Sequence, residues 1–310
     1  MRLLIALGGN ALAGPNGDAE PDEEEAAVDD AMESVADLVA DGHQVVLTHG
    51  NGPQVGNLLL KNELAAEMVA PEPLDWCVAE TQASIGMLVM NALDHALLRR
   101  GRPARTAALV SRTLVDADDP ALAAPTKPIG RYATAAEAAV MIEHGQQWVD
   151  LGERGWRRVV GSPQPRQCLD VAAARVLADA GYVVVCSGGG GVPTAYDENG
   201  LNGVEAVVDK DLTAALLAEE LHADLLVIAT DVEAAALDWG TPDARPLGEV
   251  TVAQLRAHAA EGQFAAGSMG PKVEAACRFA ERTKRRAVIT ALDTISGGVA
   301  GTAGTQVRLE

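Results

Sequence analysis

The chain has 310 residues, 48% of them hydrophobic, with a mean hydropathy of +0.07, enough apolar material for one large core or two smaller ones. Its apolar runs, such as residues 3–7 and 225–229, fall far short of the ~20 needed to cross a bilayer, and its start does not read as a secretory leader, so a cytoplasmic protein without membrane partners is expected. Forty-four acidic residues against 24 basic ones leave a formal net charge of −20, which argues against nucleic acid and anionic lipid as partners.

In chain order, residues 3–7 read as a strand that ends on Gly8-Gly9-Asn10. A helix is expected over residues 22–41, and the acidic 18–30 stretch suits either a solvated helix face or a mobile loop. Residues 45–48 form a second strand leading into Gly50-Asn51-Gly52-Pro53, where Pro53 fits a first helical turn because no N–H is needed there. A long helix covers 74–99 and a strand lies near 106–110. The stretch 112–164 breaks this rhythm: it is rich in Pro, Asp and Ala and carries Lys127-Pro128-Ile129-Gly130. It is expected to be a small protruding subdomain that folds over the site, with a disordered linker as the alternative. Residues 183–187 form a strand that runs into four glycines at 188–191, and strands at 225–230, 287–290 and 305–309 complete the set. Strands alternating with helices imply parallel pairing through crossovers, hence an α/β sandwich. In such sheets ligands gather beyond the carboxyl ends of the strands, where these glycine-rich turns lie.

The cysteines (Cys77, Cys168, Cys186 and Cys277) lie far apart and read as buried thiols. The histidines form no HExxH pattern, so no dedicated metal site is expected. Glycine turns at strand ends let backbone N–H groups approach an anion. In residues 48–57 two asparagines and a glutamine stand among the glycines, and their amides suit a small planar carboxylate or carbamate. There is no GxxxxGK[ST] loop and no GxGxxG fingerprint with its ribose acid, which disfavours a Walker ATPase and a Rossmann dehydrogenase.

Five lysines (Lys61, Lys127, Lys210, Lys272 and Lys284) stand among 24 basic residues. A lysine ammonium can follow a moving phosphoryl group, whereas arginine presents a rigid fork. Lys210 in Val208-Asp209-Lys210-Asp211, Lys272 in Gly270-Pro271-Lys272, and Lys127 fall in loop-like motifs and are the candidates for chemistry. Lys61 and Lys284 read as solvated residues on helix faces.

Taken together, residues 7–12, 48–57, 127–130, 188–191, 203–211, 230–232, 267–272 and 301–305 resemble, in order, the carbamate kinases of the amino acid kinase superfamily. The resemblance implies one domain over 1–310, a three-layer α/β/α sandwich around a mainly parallel sheet with the 112–164 subdomain inserted. The amino-terminal half would bind carbamate and 186–310 the nucleotide, usually in a homodimer. It implies reversible transfer between ATP and carbamate, giving ADP and carbamoyl phosphate, used for ATP formation in arginine or purine-derivative breakdown. Magnesium would be held mainly by nucleotide phosphates. By the same resemblance Asn10, Gly50, Asn51 and Gly52 hold carbamate, while Gly8 and Gly9 approach the phosphoryl group. Lys210 and Lys272 neutralise that group, Asp211 positions Lys210, and Lys127 swings over the substrate. Gly189, Gly190, Asp231, Val232, Met269, Gly270 and Lys272 fall on the nucleotide side. Ala234-Ala235-Ala236 stand where relatives carry bulkier residues, which implies looser packing around the adenine. A same-fold kinase for another small carboxylate, and a nucleotide-binding chain without activity, are the alternatives.

Overall fold

The computed structural model describes residues 1–9, 12 and 20–310. From the amino terminus, β1 (Arg2–Leu7) precedes α1 (Pro21–Ala40), β2 (Gln44–His49), α2 (Gly52–Ala65), α3 (Leu74–Arg99), β3 (Thr106–Ala108) and β4 (Arg112–Leu114). A single turn, α4 (Pro120–Ala123), leads to β5 (Lys127–Ala133), α5 (Ala135–Glu143), β6 (Trp148–Asp150) and β7 (Trp156–Val160). Next come β8 (Gln167–Cys168), α6 (Val171–Asp179), β9 (Val183–Val185), β10 (Val192–Asp197), β11 (Gly200–Gly203), α7 (Lys210–Glu220) and β12 (Leu225–Thr230). The last part holds β13 (Ala236–Leu237), β14 (Arg245–Pro246), β15 (Glu249–Thr251), α8 (Val252–Ala260), α9 (Met269–Thr283), β16 (Arg286–Ala291), α10 (Ile295–Ala300) and β17 (Thr305–Arg308).

The main sheet has the order β15-β17-β16-β12-β1-β2-β9-β3. It is parallel from β16 to β3, and β17 runs antiparallel to β16. Its central strands are apolar without interruption because both faces are covered. Leu4, Ala6, Val46, Leu226 and Ile228 point to one face, where they pack with Ala214, Leu217 and Phe279 from α7 and α9. Leu3, Ile5, Leu7, Val45, Leu47 and Val227 point to the other, against Val28, Met32, Ile85 and Leu93 from α1 and α3. This period-two partition of each strand produces the three α/β/α layers.

The expected insertion at 112–164 divides between two sheets. Arg112–Leu114 joins a four-stranded sheet of order β11-β10-β4-β8, while β5, β7 and β6 form an antiparallel sheet of their own. That smaller sheet packs with α5 around Ala133, Ala138, Met141 and Trp148. Two ion pairs fasten it to the body: Arg131 Nε to Glu63 Oε2 at 2.9 Å, and Arg158 Nη2 to Glu205 Oε2 at 2.6 Å. Lys127 stands on strand β5, paired with Val160, rather than in an irregular loop, because the antiparallel ladder with β7 orders the segment. Residues 21–30 of the acidic stretch form the first half of α1; Asp18 lies outside the described residues. Lys284 caps α9 in the left-handed conformation instead of lying on a helix face.

Candidate active site

Parallel pairing brings the carboxyl ends of β1, β2, β9 and β12 to one edge of the sheet, with β1 between β2 and β12. Leu7, at the end of β1, sits beside His49 of β2 and Ala229 of β12. The turns beyond these ends wall a cavity of about 660 Å³, lined by Gly9, Gly50, Asn51, Gly52, Lys127, Gly189, Lys210, Asp211 and Lys272 among others. Asn10 lies outside the described residues.

The turns after β1 and β2 are built on contact distances that only glycine permits. A Cβ on Gly50 would stand 2.6 Å from the Gly9 nitrogen and 2.7 Å from its Cα. The Gly50 N–H donates to Leu7 O (3.0 Å) and the Gly8 N–H to Ala229 O (2.9 Å). Those two amides therefore hold strand ends together, and Gly8 does not line the cavity. The amide side chains are likewise engaged within the protein. Asn51 Nδ2 donates to Thr81 Oγ1 (2.9 Å), and Gln54 Nε2 donates to Glu24 Oε1 (3.0 Å). Asn51 is the N-cap of α2 yet makes no side-chain cap. Gly52 and Pro53, at the positive end of that 14-residue helix, line the cavity, and the Asn51 side chain caps none of its N–H groups. Asn51, expected to hold the carboxylate, lines the cavity beside this helix start.

His49 is wholly buried. Its Nδ1 lies 2.8 Å from Gly50 O and its Nε2 has no partner among the described residues. Burial, reinforced by the charge of nearby Lys210 and only partly countered by the Gly50 bond, brings its pKa down to about 4. The ring is neutral at physiological pH, with Nδ1–H donating to Gly50.

Across the cavity stand the two helix starts that carry the lysines. Asp209 caps α7 by accepting from the N–H groups of Asp211 and Leu212. Lys210 occupies the first position of that helix, and Lys272 the first turn of α9. One carboxylate joins them: Asp211 Oδ1 accepts from Lys210 Nζ at 2.5 Å and Oδ2 from Lys272 Nζ at 3.2 Å. Asp211 is 4% exposed. Burial by itself would raise its pKa, but the two ammonium charges and their hydrogen bonds outweigh it and hold the pKa below the usual carboxylate value. The sequence reading linked Asp211 to Lys210 alone; the structure makes it the shared anchor of both lysines.

A smaller cavity of about 280 Å³ adjoins, lined by Asp231, Val232, Ala234, Ala236, Trp239, Phe264, Ser268 and Met269 among others. Ser268 lines both cavities. It precedes α9 without a side-chain cap, so a second helix start faces the junction. Asp231, Val232 and Met269, expected on the nucleotide side, line this smaller cavity. Gly189 lines the larger cavity, as does Lys272, and a Cβ on Gly189 would fall 2.3 Å from Asn51 Nδ2. Gly190 lines neither cavity: a Cβ there would lie 2.4 Å from Val208 O, and its own carbonyl accepts from Thr113 and Thr213. Gly270 also lines neither, its N–H donating to Ala265 O at 2.9 Å. Sequence reasoning did not single out His49, Thr81, Arg157, Trp239, Phe264 or Ser268. His49 and Ser268 lay within motifs already noted, at 48–57 and 267–272.

Among the described residues, no three His, Cys, Asp or Glu side chains converge where they could hold a metal ion. Both oxygens of Asp211 are occupied by the lysines. The donor set fits a divalent ion carried in on phosphate oxygens and does not fit a carboxylate cage.

A profile of the Amino acid kinase family matches residues 1–291. A carbamate kinase of Thermococcus kodakarensis is 43% identical over the whole chain and 99% of its own length. A solved structure from Aeropyrum pernix K1 superposes with a TM-score of 0.95 at 42% identity, covering all of both chains. The carbamate kinase of Giardia lamblia bound to AMP-PNP superposes with a TM-score of 0.93 at 38% identity, covering 99% of this chain and 98% of that one.

Proposed function

We infer that this chain, which belongs to the amino acid kinase family and within it to the carbamate kinases, transfers a phosphoryl group reversibly between ATP and carbamate. The observation that carries the reading is the pair of ammonium groups held by one buried carboxylate at the mouth of two helices. A carbamate oxygen attacks the γ-phosphorus as the bond to the ADP oxygen breaks, giving carbamoyl phosphate and ADP with no proton to move. The protein's task is then positioning and neutralisation of charge on the phosphoryl oxygens. Lys210 and Lys272 supply that charge, and Asp211 keeps them pointed into the cavity when no phosphate is present. The uncapped start of α2, with Asn51 and Gly52, receives the carbamate carboxylate. Gly9 allows the phosphoryl group close approach.

The adenine fits the smaller cavity, whose apolar walls come from Val232, Met269, Phe264 and Trp239. The small side chains at Ala234 and Ala236 leave room there, and aromatic groups from elsewhere in the chain supply the flat surfaces. Magnesium, when bound, neutralises the nucleotide phosphates. We propose that the 112–164 unit covers the larger cavity and brings Lys127 to the substrate; Lys127 and Arg131 already line its wall. A cytoplasmic homodimer that forms ATP in arginine or purine-derivative breakdown completes the proposal. The homodimer is supported by exposed apolar side chains such as Met68 and Trp76.

The acceptor is tested by supplying magnesium and ATP with ammonium bicarbonate as the carbamate source, and in parallel with acetate or acylated amino acids. An acyl-phosphate phosphorus resonance should appear with carbamate. Its appearance with acetate or an acylated amino acid alone would reassign the substrate.

A further inference from the structure

Strand β7 places consecutive arginines on opposite sides of the smaller sheet. Arg158 is buried and paired with Glu205, which also accepts from the Leu74 N–H at 2.9 Å. Arg157 turns the other way and lines the larger cavity together with Lys127, Lys210 and Lys272. In a chain with 44 acidic residues, Arg157 has no carboxylate partner among the described residues, and its buried Nε donates to nothing there. Leaving a buried donor of a charged group unpaired is costly unless a ligand completes it.

The local geometry fixes where this cation sits. Ile129 pairs with Arg158 and Ala133 with Trp156, so three residues, Gly130–Tyr132, stand opposite the single Arg157. Gly130 makes this bulge possible with a φ of +67°, a conformation glycine adopts without strain. The bulge brings the Tyr132 ring under the guanidinium, with Arg157 Cζ 5.0 Å from the ring centroid. The Tyr132 side chain also hydrogen-bonds Arg157, so ring and hydroxyl together fix the guanidinium beside the cavity.

We propose that Arg157 is a further substrate-binding residue, donating to phosphoryl oxygens of carbamoyl phosphate from the subdomain side, with Tyr132 as its positioning residue. A planar fork matches two oxygens of one phosphoryl group, whereas the lysines opposite act as point charges. This rests on the reading of the site as a carbamate kinase, and the test separates the two.

The experiment measures ATP formation from ADP, magnesium and carbamoyl phosphate by the unmodified chain, Arg157→Gln, Arg157→Lys and Tyr132→Leu. Arg157→Gln should raise the KM for carbamoyl phosphate by about 10- to 100-fold, the range for loss of a hydrogen bond to a charged group. The KM for ADP, which reports an intact fold and nucleotide site, should stay unchanged. Arg157→Lys should recover part of the loss, and Tyr132→Leu should show a smaller rise in the same constant. An unchanged KM for carbamoyl phosphate in Arg157→Gln, or equal rises in both KM values, overturns the role of Arg157 while the activity stands. No ATP from the unmodified chain overturns the activity, and this inference with it.

Discussion

Replacing Asp211 by Asn keeps the shape of the lysine anchor and removes its charge. At an effective dielectric of about 20, unit charges at the observed 2.5 and 3.2 Å attract by about 5–7 kcal/mol each. Desolvation of all three groups offsets most of that, but deleting one partner of a buried pair still costs about 3–5 kcal/mol. The ammonium groups are poorly hydrated, since the Lys210 and Lys272 side chains are only 14% and 13% exposed. Without the carboxylate they repel each other and leave their positions. Losing about 3–4 kcal/mol of aligned charge in the transition state lowers kcat by roughly 100- to 1000-fold. Phosphate-bearing ligands partly replace the lost counter-charge, so ADP should raise the unfolding temperature of the variant more than that of the unmodified chain. Steady-state ATP formation and thermal unfolding with and without ADP measure both effects. A kcat within about threefold of the unmodified chain, equivalent to ~0.7 kcal/mol, would refute the shared-anchor argument.

Other outcomes follow from the same geometry. Gly50→Ala should abolish a stable site, because its Cβ meets Gly9 backbone at 2.6 Å. Gly56→Ala, whose Cβ meets nothing within 4 Å, should leave the unfolding temperature unchanged or raised. Trp239→Ala should raise the KM for ADP by about 3- to 10-fold, the worth of one aromatic contact, without moving that for carbamoyl phosphate. For His49 the folded pKa of about 4 lies below its ordinary 6.5. Stability is therefore fully present above pH 6.5 and is lost as the pH falls towards 4, while the unfolded chain takes up a proton that the folded one refuses. The loss amounts to about 3 kcal/mol, and urea titrations of His49→Gln should show a shallower decline across that window. Asp211 acts lower on the scale: with its folded pKa depressed, its contribution is present above the ordinary carboxylate pKa and lost as the pH falls through the lowered one.

Much of this site was legible because its strands are apolar on both faces and its lysines are few. Residues 225–230 and the long helix at 74–99 were readable in full from their patterns. Sheet order was not, and it changes what each turn touches. The neighbours of the glycines after β9 depend on that order, since β9 pairs with β2 and sets Gly189 against Asn51. The amide-rich motif gave no sign of its internal partners: Gln54 is bonded to Glu24 and Asn51 to Thr81, each thirty residues away in sequence. Arg157 gave no signal of its own, since its exposure to the cavity depends on a bulge in the facing strand. Trp239 and Phe264 lie far apart in the chain and meet only around the smaller cavity.

The central claim is that Lys210 and Lys272, anchored on Asp211, move a phosphoryl group between a carbamate and a nucleotide. It is tested most directly by incubating the chain with carbamoyl phosphate, ADP and magnesium and following ATP by luminescence, beside Lys210→Ala and Lys272→Ala. The account requires rapid ATP formation by the unmodified chain and loss of at least about 100-fold in each variant, a transition-state cost of ~2.7 kcal/mol. ATP formed equally well by the lysine variants, or by none of the three proteins, would contradict it.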